Sequence, residues 1–120
     1  MLVRDRESLK RLAAVEGYAG HLAGAAAGFV LMMAGERPEQ DAFDEGRLAE
    51  RIMLSAEAHG VASCIGWFRD AGRDEAKRIL GVPPDRMVRT AVSLGYPAEG
   101  ARRGGRRKPL QDFVREERFP

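Results

Sequence analysis

DAFDEGRLAERIMLSAEAHGVASCIGWF, residues Asp41 to Phe68, carries the clearest periodic pattern in this chain. Apolar side chains fall at Phe43, Leu48, Ala49, Ile52, Met53 and Ala56. The charges Glu45, Arg47, Glu50, Arg51 and Glu57 fall mostly elsewhere, so the spacing predicts a long amphipathic helix over 41–59. Gly60 stands where a left-handed residue closes a helix. Val61 to Phe68 then reads as a short apolar strand. The stripe Leu48, Ile52, Met53 and Ala56 is expected to pack on a core, which is compatible with a subunit contact on the same helix.

Working outward toward the N-terminus, Ala25 to Met33 is apolar on both faces and is followed by the turn signal Gly35 to Pro38. That suits a central buried strand; a helix is the alternative, because Ala and Met favour it, but the short length and Gly28 argue for strand. Gly17 to Gly24 reads as a flexible connection. Before it, Asp5 can cap a helix with Leu9, Leu12, Ala13 and Val15 as its apolar positions. Leu2-Val3 is an apolar stub. Toward the C-terminus, Asp74 to Leu80 predicts a short helix stopped at Gly81, and Met87 to Leu94 a strand ended by Gly95-Tyr96-Pro97. Pro109 opens a final short helix to about Glu117. Helices alternating with strands indicate an α+β domain in layers.

The 120 residues suit one domain, 1–120, and 44% apolar with 32% charged residues is a globular balance. Net charge is only +2, but Arg102, Arg103, Arg106, Arg107 and Lys108 form a local basic cluster without an acid. A general nucleic-acid surface would spread its basic residues over a face with aromatics between them, so nucleic acid is not expected as a partner. One cysteine, Cys64, forbids an internal disulfide and suits a reducing compartment. Cys64 is expected to be a small buried apolar residue rather than a reactive thiol. His21 and His59 are far apart with no further ligand nearby, which argues against a metal. Ser55 and Ser63 lack the arrangement of a nucleophile. No secretory signal or membrane span is visible, so a cytoplasmic location is the expectation.

The ordered set Asp44 to Leu54, His59 to Gly66, Glu75 to Pro83, Val92 to Pro97 and Arg106 to Leu110 resembles the FMN-dependent nitroreductase family in order and spacing. The resemblance implies a nitroreductase-like three-layer fold, truncated, with a central mixed or antiparallel sheet flanked by helices. It implies FMN at the two-fold interface of a homodimer, reduced by NAD(P)H and reoxidised by a nitroaromatic, quinone or related acceptor in ping-pong hydride transfer. Cys64, Ile65, Gly66 and Trp67 would lie at the ring edge, with Gly66 admitting close approach of the ligand. Trp67 could equally belong to the core. Arg106, Arg107 and Lys108 would hold the phosphate. No catalytic side chain is required, because the cofactor carries the chemistry. Against the family pattern, the N-terminal arm with its arginine-serine-arginine motif is missing. A truncated reading frame, a second polypeptide completing the site, and a non-catalytic remnant or flavin-binding module all remain open on the sequence.

Overall fold

In a computed structural model, which describes residues 1–101, 105 and 107–118, four strands and three helices form an α+β fold. The strands are β1 (Leu2–Val3), β2 (Ala27–Met33), β3 (Ala62–Trp67) and β4 (Met87–Gly95); the helices are α1 (Arg6–Ala14), α2 (Pro38–Ala58) and α3 (Asp70–Leu80). The sheet order is β1-β2-β4-β3, and every neighbouring pair is antiparallel. The expected strand at 25–33 is therefore present from Ala27 onward, Ala25 closing the preceding turn, and the apolar stub is an edge strand pairing Leu2 with Phe29.

Alternation along the strands divides the core in two. Val30 and Ala91 face α1, α3 and the 3-10 turn Gly20–Gly24, packing with Leu9, Leu12, Leu22, Phe68 and Val88. Leu31 and Val92 face α2, where Ala49 is the buried contact and Ile52 and Met53 are partly buried. The layers are thus helices, sheet and helix. None of the helices is long and apolar enough to cross a membrane, among the described residues.

Asp5 caps α1 as expected, its carboxylate accepting from the Ser8 amide at 2.7 Å. Gly60 and Gly81 both take left-handed backbone, with φ of +70° and +64°.

Several expectations are corrected. The segment 17–24 is not a loose connection: Ala19 and Leu22 are buried, and Gly17 bridges to Phe68. Its glycines hid a segment that one leucine anchors. Helix α2 begins three residues early, at Pro38, and Asp41 folds back to accept from the Gly35 amide at 2.9 Å. Helix α3 begins at Asp70; Gly72 in its first turn is required because a Cβ there would lie closer than 3.0 Å to the Glu16 carbonyl oxygen. The final helix shrinks to the 3-10 turn Leu110–Asp112, since Leu110, Phe113 and Val114 are all exposed and a short helix without packing is not stable.

The α2 stripe also differs. Ala49 is buried, whereas Phe43, Leu48 and Leu54 are 66%, 42% and 61% exposed. Glu45, assigned by periodicity to the polar face, is buried instead. The register slips between Val30 and Met32 of β2, opposite Arg89 and Thr90. The Glu45 carboxylate meets this bulge, accepting from the Thr90 amide at 3.1 Å and from Arg89 Nε at 2.9 Å. A buried acid thus satisfies a backbone donor that the irregular ladder leaves over.

Candidate functional site

One of the two outer strands, β3, presents an edge that is open at Ser63 and Ile65. Phe68 donates to the Arg89 carbonyl at 2.7 Å, so Phe68 faces β4, and the Trp67 carbonyl accepts from the Tyr18 amide on the opposite side at 2.7 Å. Ala26 donates to the Leu94 carbonyl, which turns Leu94 toward β2 and Ser93 toward β3. In an antiparallel ladder these directions alternate. Cys64 and Gly66 therefore bond inward to Ser93 and Ala91, while the amide and carbonyl of Ser63 and of Ile65 point out from the sheet. Among the described residues no backbone partner meets these outward groups.

The side chains divide by face. Ile65 and Trp67 are 43% and 45% exposed, and Trp67 leans against Tyr18 with ring centres 5.0 Å apart. Trp67 is thus not a core residue. Cys64 is exposed, against the expectation of a buried thiol. Gly66 is buried, and a Cβ on it would come closer than 3.0 Å to the Tyr18 carbonyl oxygen and to His21 Nε2. The close approach that glycine permits here is made by this chain's own backbone, so its size is explained without a ligand.

Where β3 begins, a cleft of about 650 Å³ opens between α2 and the segment after β4. Its lining includes Glu50, Met53, Leu54 and Glu57 of α2, Ser63 of β3, and Arg107. Its size falls in the range of small-molecule sites. Of the basic cluster, Arg107 reaches this cleft; Lys108 is exposed and does not line it, and Arg106 lies outside the described residues. Ser63 connects the cleft to the open edge, and Ile65 follows along that edge. No group of three His, Cys, Asp or Glu side chains able to hold a metal occurs among the described residues.

Behind β3, on the face toward α1, lies a second recess of about 230 Å³ whose lining includes His21, Cys64, Ser93 and Tyr96. His21 Nδ1 lies 2.8 Å from Ser93 Oγ, and that hydroxyl donates to the Cys64 carbonyl at 3.4 Å. A hydroxyl has one proton, so with that proton on Cys64 the Nδ1–H of His21 must be the donor to Oγ. Nε2 is then a bare acceptor, buried without a partner. Burial pushes the His21 pKa below its ordinary 6.5. Sequence reasoning missed this arrangement, as it missed Glu45: 72 residues separate His21 from Ser93, and no local pattern links them.

A sequence profile described as the nitroreductase family matches residues 2–96. The chain belongs to the nitroreductase family. Among curated relatives, a protein of Archaeoglobus fulgidus provisionally named an NADH dehydrogenase/NAD(P)H nitroreductase is 31% identical over 106 residues, covering 82% of this chain. This chain spans 60% of that relative's length. Solved nitroreductase-family structures share the fold. An FMN-dependent nitroreductase of Clostridium difficile superposes with a TM-score of 0.86 at 23% identity, over 99% of this chain and 74% of its own. An NADPH:FMN oxidoreductase of Vibrio harveyi, solved with NAD+, gives 0.77 at 22%, over 100% and 58%. Family membership supports flavin oxidoreductase chemistry in general.

The observed edge fits a flavin in kind. The outward amides of Ser63 and Ile65 are donors of the kind that the acceptor edge of an isoalloxazine takes, while the Ile65 carbonyl accepts from Cys64 Sγ at 3.7 Å. Arg107, on the cleft beside Ser63, supplies a cation of the type that holds phosphate.

Proposed function

We propose that this chain acts as an FMN-dependent NAD(P)H oxidoreductase of the nitroreductase type, passing electrons to nitroaromatic, quinone or related small acceptors by ping-pong hydride transfer. The observation that carries this reading is the free edge of β3, with the outward amides of Ser63 and Ile65, running into the cleft that Arg107 borders. FMN, when bound, supplies the hydride chemistry. The protein's part is to position and polarise. The amides of Ser63 and Ile65 would donate to the ring edge, Trp67 would border the ring, and Arg107, joined by Arg106 and Lys108, would hold the phosphate. Cys64 and Gly66 would contribute backbone rather than side-chain chemistry. The exposed Phe43, Leu48 and Leu54 on α2 fit a homodimer contact, as does the shallow core beneath that helix. Residues 1–120 would act as one domain in the cytoplasm, with no nucleic acid or membrane as partner.

The test is direct. Purified protein titrated with FMN should turn yellow with one flavin per chain and oxidise NAD(P)H when given a quinone. Riboflavin, which lacks the phosphate, should bind more weakly, and Arg107→Ala should narrow that difference. A colourless protein that takes up no FMN would sink the reading.

Glu50 and Glu57 on the same cleft favour a second reading, a non-catalytic nitroreductase-like interaction module, because acids beside Arg107 oppose a phosphate dianion. Intact dimers by light scattering, with no NAD(P)H oxidation in excess FMN, would establish it.

A further inference from the structure

The peptide unit joining Cys64 to Ile65 has its two polar ends in different environments. Its carbonyl points inward and accepts from Ser93 Oγ, which His21 holds from behind. Its N–H, the amide of Ile65, points outward to the open edge. A hydrogen bond accepted at a peptide oxygen withdraws electron density across the unit and makes the N–H at the other end a stronger donor. The neighbouring outward amide, Ser63, belongs to the peptide after Ala62, which is paired with Gly95 and has no side-chain donor of this kind.

We propose that Ser93, held in place by His21, strengthens the Ile65 amide as a hydrogen-bond donor and thereby tunes the redox poise of a flavin at the β3 edge. This rests on the FMN reading above. Ser93 and His21 are positioning residues: they act through the peptide and touch neither the ring nor the substrate. Reduction places more negative charge on the flavin's edge acceptors, so a stronger donor there favours the reduced form. His21 contributes by fixing the hydroxyl rotor. With Nδ1–H directed at Oγ, the proton of Ser93 has the Cys64 carbonyl as its acceptor. Of the groups lining the recess around it, Cys64 comes from β3 and Tyr96 from the segment after β4, and among the described residues no carboxylate or guanidinium lines it.

The test uses the full chain in two states. In the flavin-free protein, amide proton shifts are compared for wild type, Ser93→Ala and Ser93→Thr, which keeps a hydroxyl. Ser93→Ala should move the Ile65 amide upfield, leave Ser63 nearly unmoved, and be reversed in Ser93→Thr. With FMN added, the ratio of affinities for oxidised and reduced flavin should shift about two- to fourfold against reduction in Ser93→Ala, roughly 10–20 mV for a two-electron couple. Ser93→Thr should restore it. An Ile65 amide that moves no more than Ser63 would overturn the relay whatever the flavin does. Moved amide shifts with an unchanged potential would overturn the tuning. Failure of the wild type to bind FMN would overturn the underlying function and the tuning together, with the amide shifts still deciding whether the relay exists.

Discussion

The two faces of the sheet are finished to different degrees. Toward α1 and α3, Leu9, Leu12, Leu22, Val30, Phe68 and Val88 are almost wholly buried and come from five different segments. Toward α2, the buried set is Leu31, Ala49 and Val92, and the helix turns Phe43, Leu48 and Leu54 to solvent. The first face is complete within the chain. On the second, α2 is held by one alanine, partly buried neighbours and a polar clamp from Glu45, leaving an apolar surface open to solvent. Stability therefore resides mainly on one side of the sheet.

The largest effects should separate these faces. Leu12→Ala should cost about 2–5 kcal/mol in urea unfolding, because a fully buried leucine leaves a cavity in a crowded layer. Leu54→Ala should cost less than about 0.5 kcal/mol at concentrations low enough to keep the chain monomeric. Equal costs for the two would break the comparison.

Glu45 comes next, since it clamps the sparse side. Glu45→Ala leaves the Thr90 amide without a partner at the bulge, and a buried unpaired donor costs about 1–3 kcal/mol. Glu45→Gln keeps an acceptor oxygen for Thr90 while losing the charge opposite Arg89, so its cost should be smaller. If both substitutions cost the same, the ion pair with Arg89 outweighs the bond to the bulge.

Two glycines sharpen the contrast further. A Cβ at Gly66 meets the Tyr18 carbonyl and His21, so Gly66→Ala should destabilise by about 1–3 kcal/mol. A Cβ at Gly46 on α2 meets nothing within 4 Å, so Gly46→Ala should stabilise the helix by about 0.5–1 kcal/mol. Chemical denaturation of the two single variants would measure opposite signs. A loss at Gly46 would show that the α2 face is already occupied in solution.

The legibility of the sequence follows the same division. Segments that satisfy themselves locally could be read: Asp5 at the α1 cap, Gly60 and Gly81 at helix ends, and the apolar runs of β2 and β4. The apolar run at 61–68 likewise announced β3. Interactions between distant parts of the chain left no local trace. Glu45 looks like any solvated acid until a register slip in β4 gives it a buried amide to satisfy. Gly72 and Gly66 resemble helix and strand breakers until the backbones of Glu16 and Tyr18 are laid against them. The segment 17–24 was hidden for a related reason, since its glycines suggest freedom while Leu22 fixes it in the core.

The smallest effect expected is a pH dependence confined to the complete face. Burial alone depresses the His21 pKa below 6.5, so the unfolded chain binds its proton more readily than the folded one. The stability tied to neutral His21 is therefore fully present above pH 6.5 and is lost as pH falls through the depressed folded value. The carboxylates held below their ordinary values, Asp5 by Ser8 and Glu75 by Arg78, act at lower pH, below 3.8 and 4.5 respectively, and leave this window to the imidazole. Protonation would place a hydrogen on Nε2, where no acceptor now meets it. The urea midpoint of wild type should fall between pH 7 and the mid-fives. In His21→Asn, whose amide can still donate to Ser93, the profile should flatten over that range while keeping the Ile65 amide shift. An unchanged slope in His21→Asn would mean that the titrating group lies elsewhere, and that the ring behind β3 is held by packing alone.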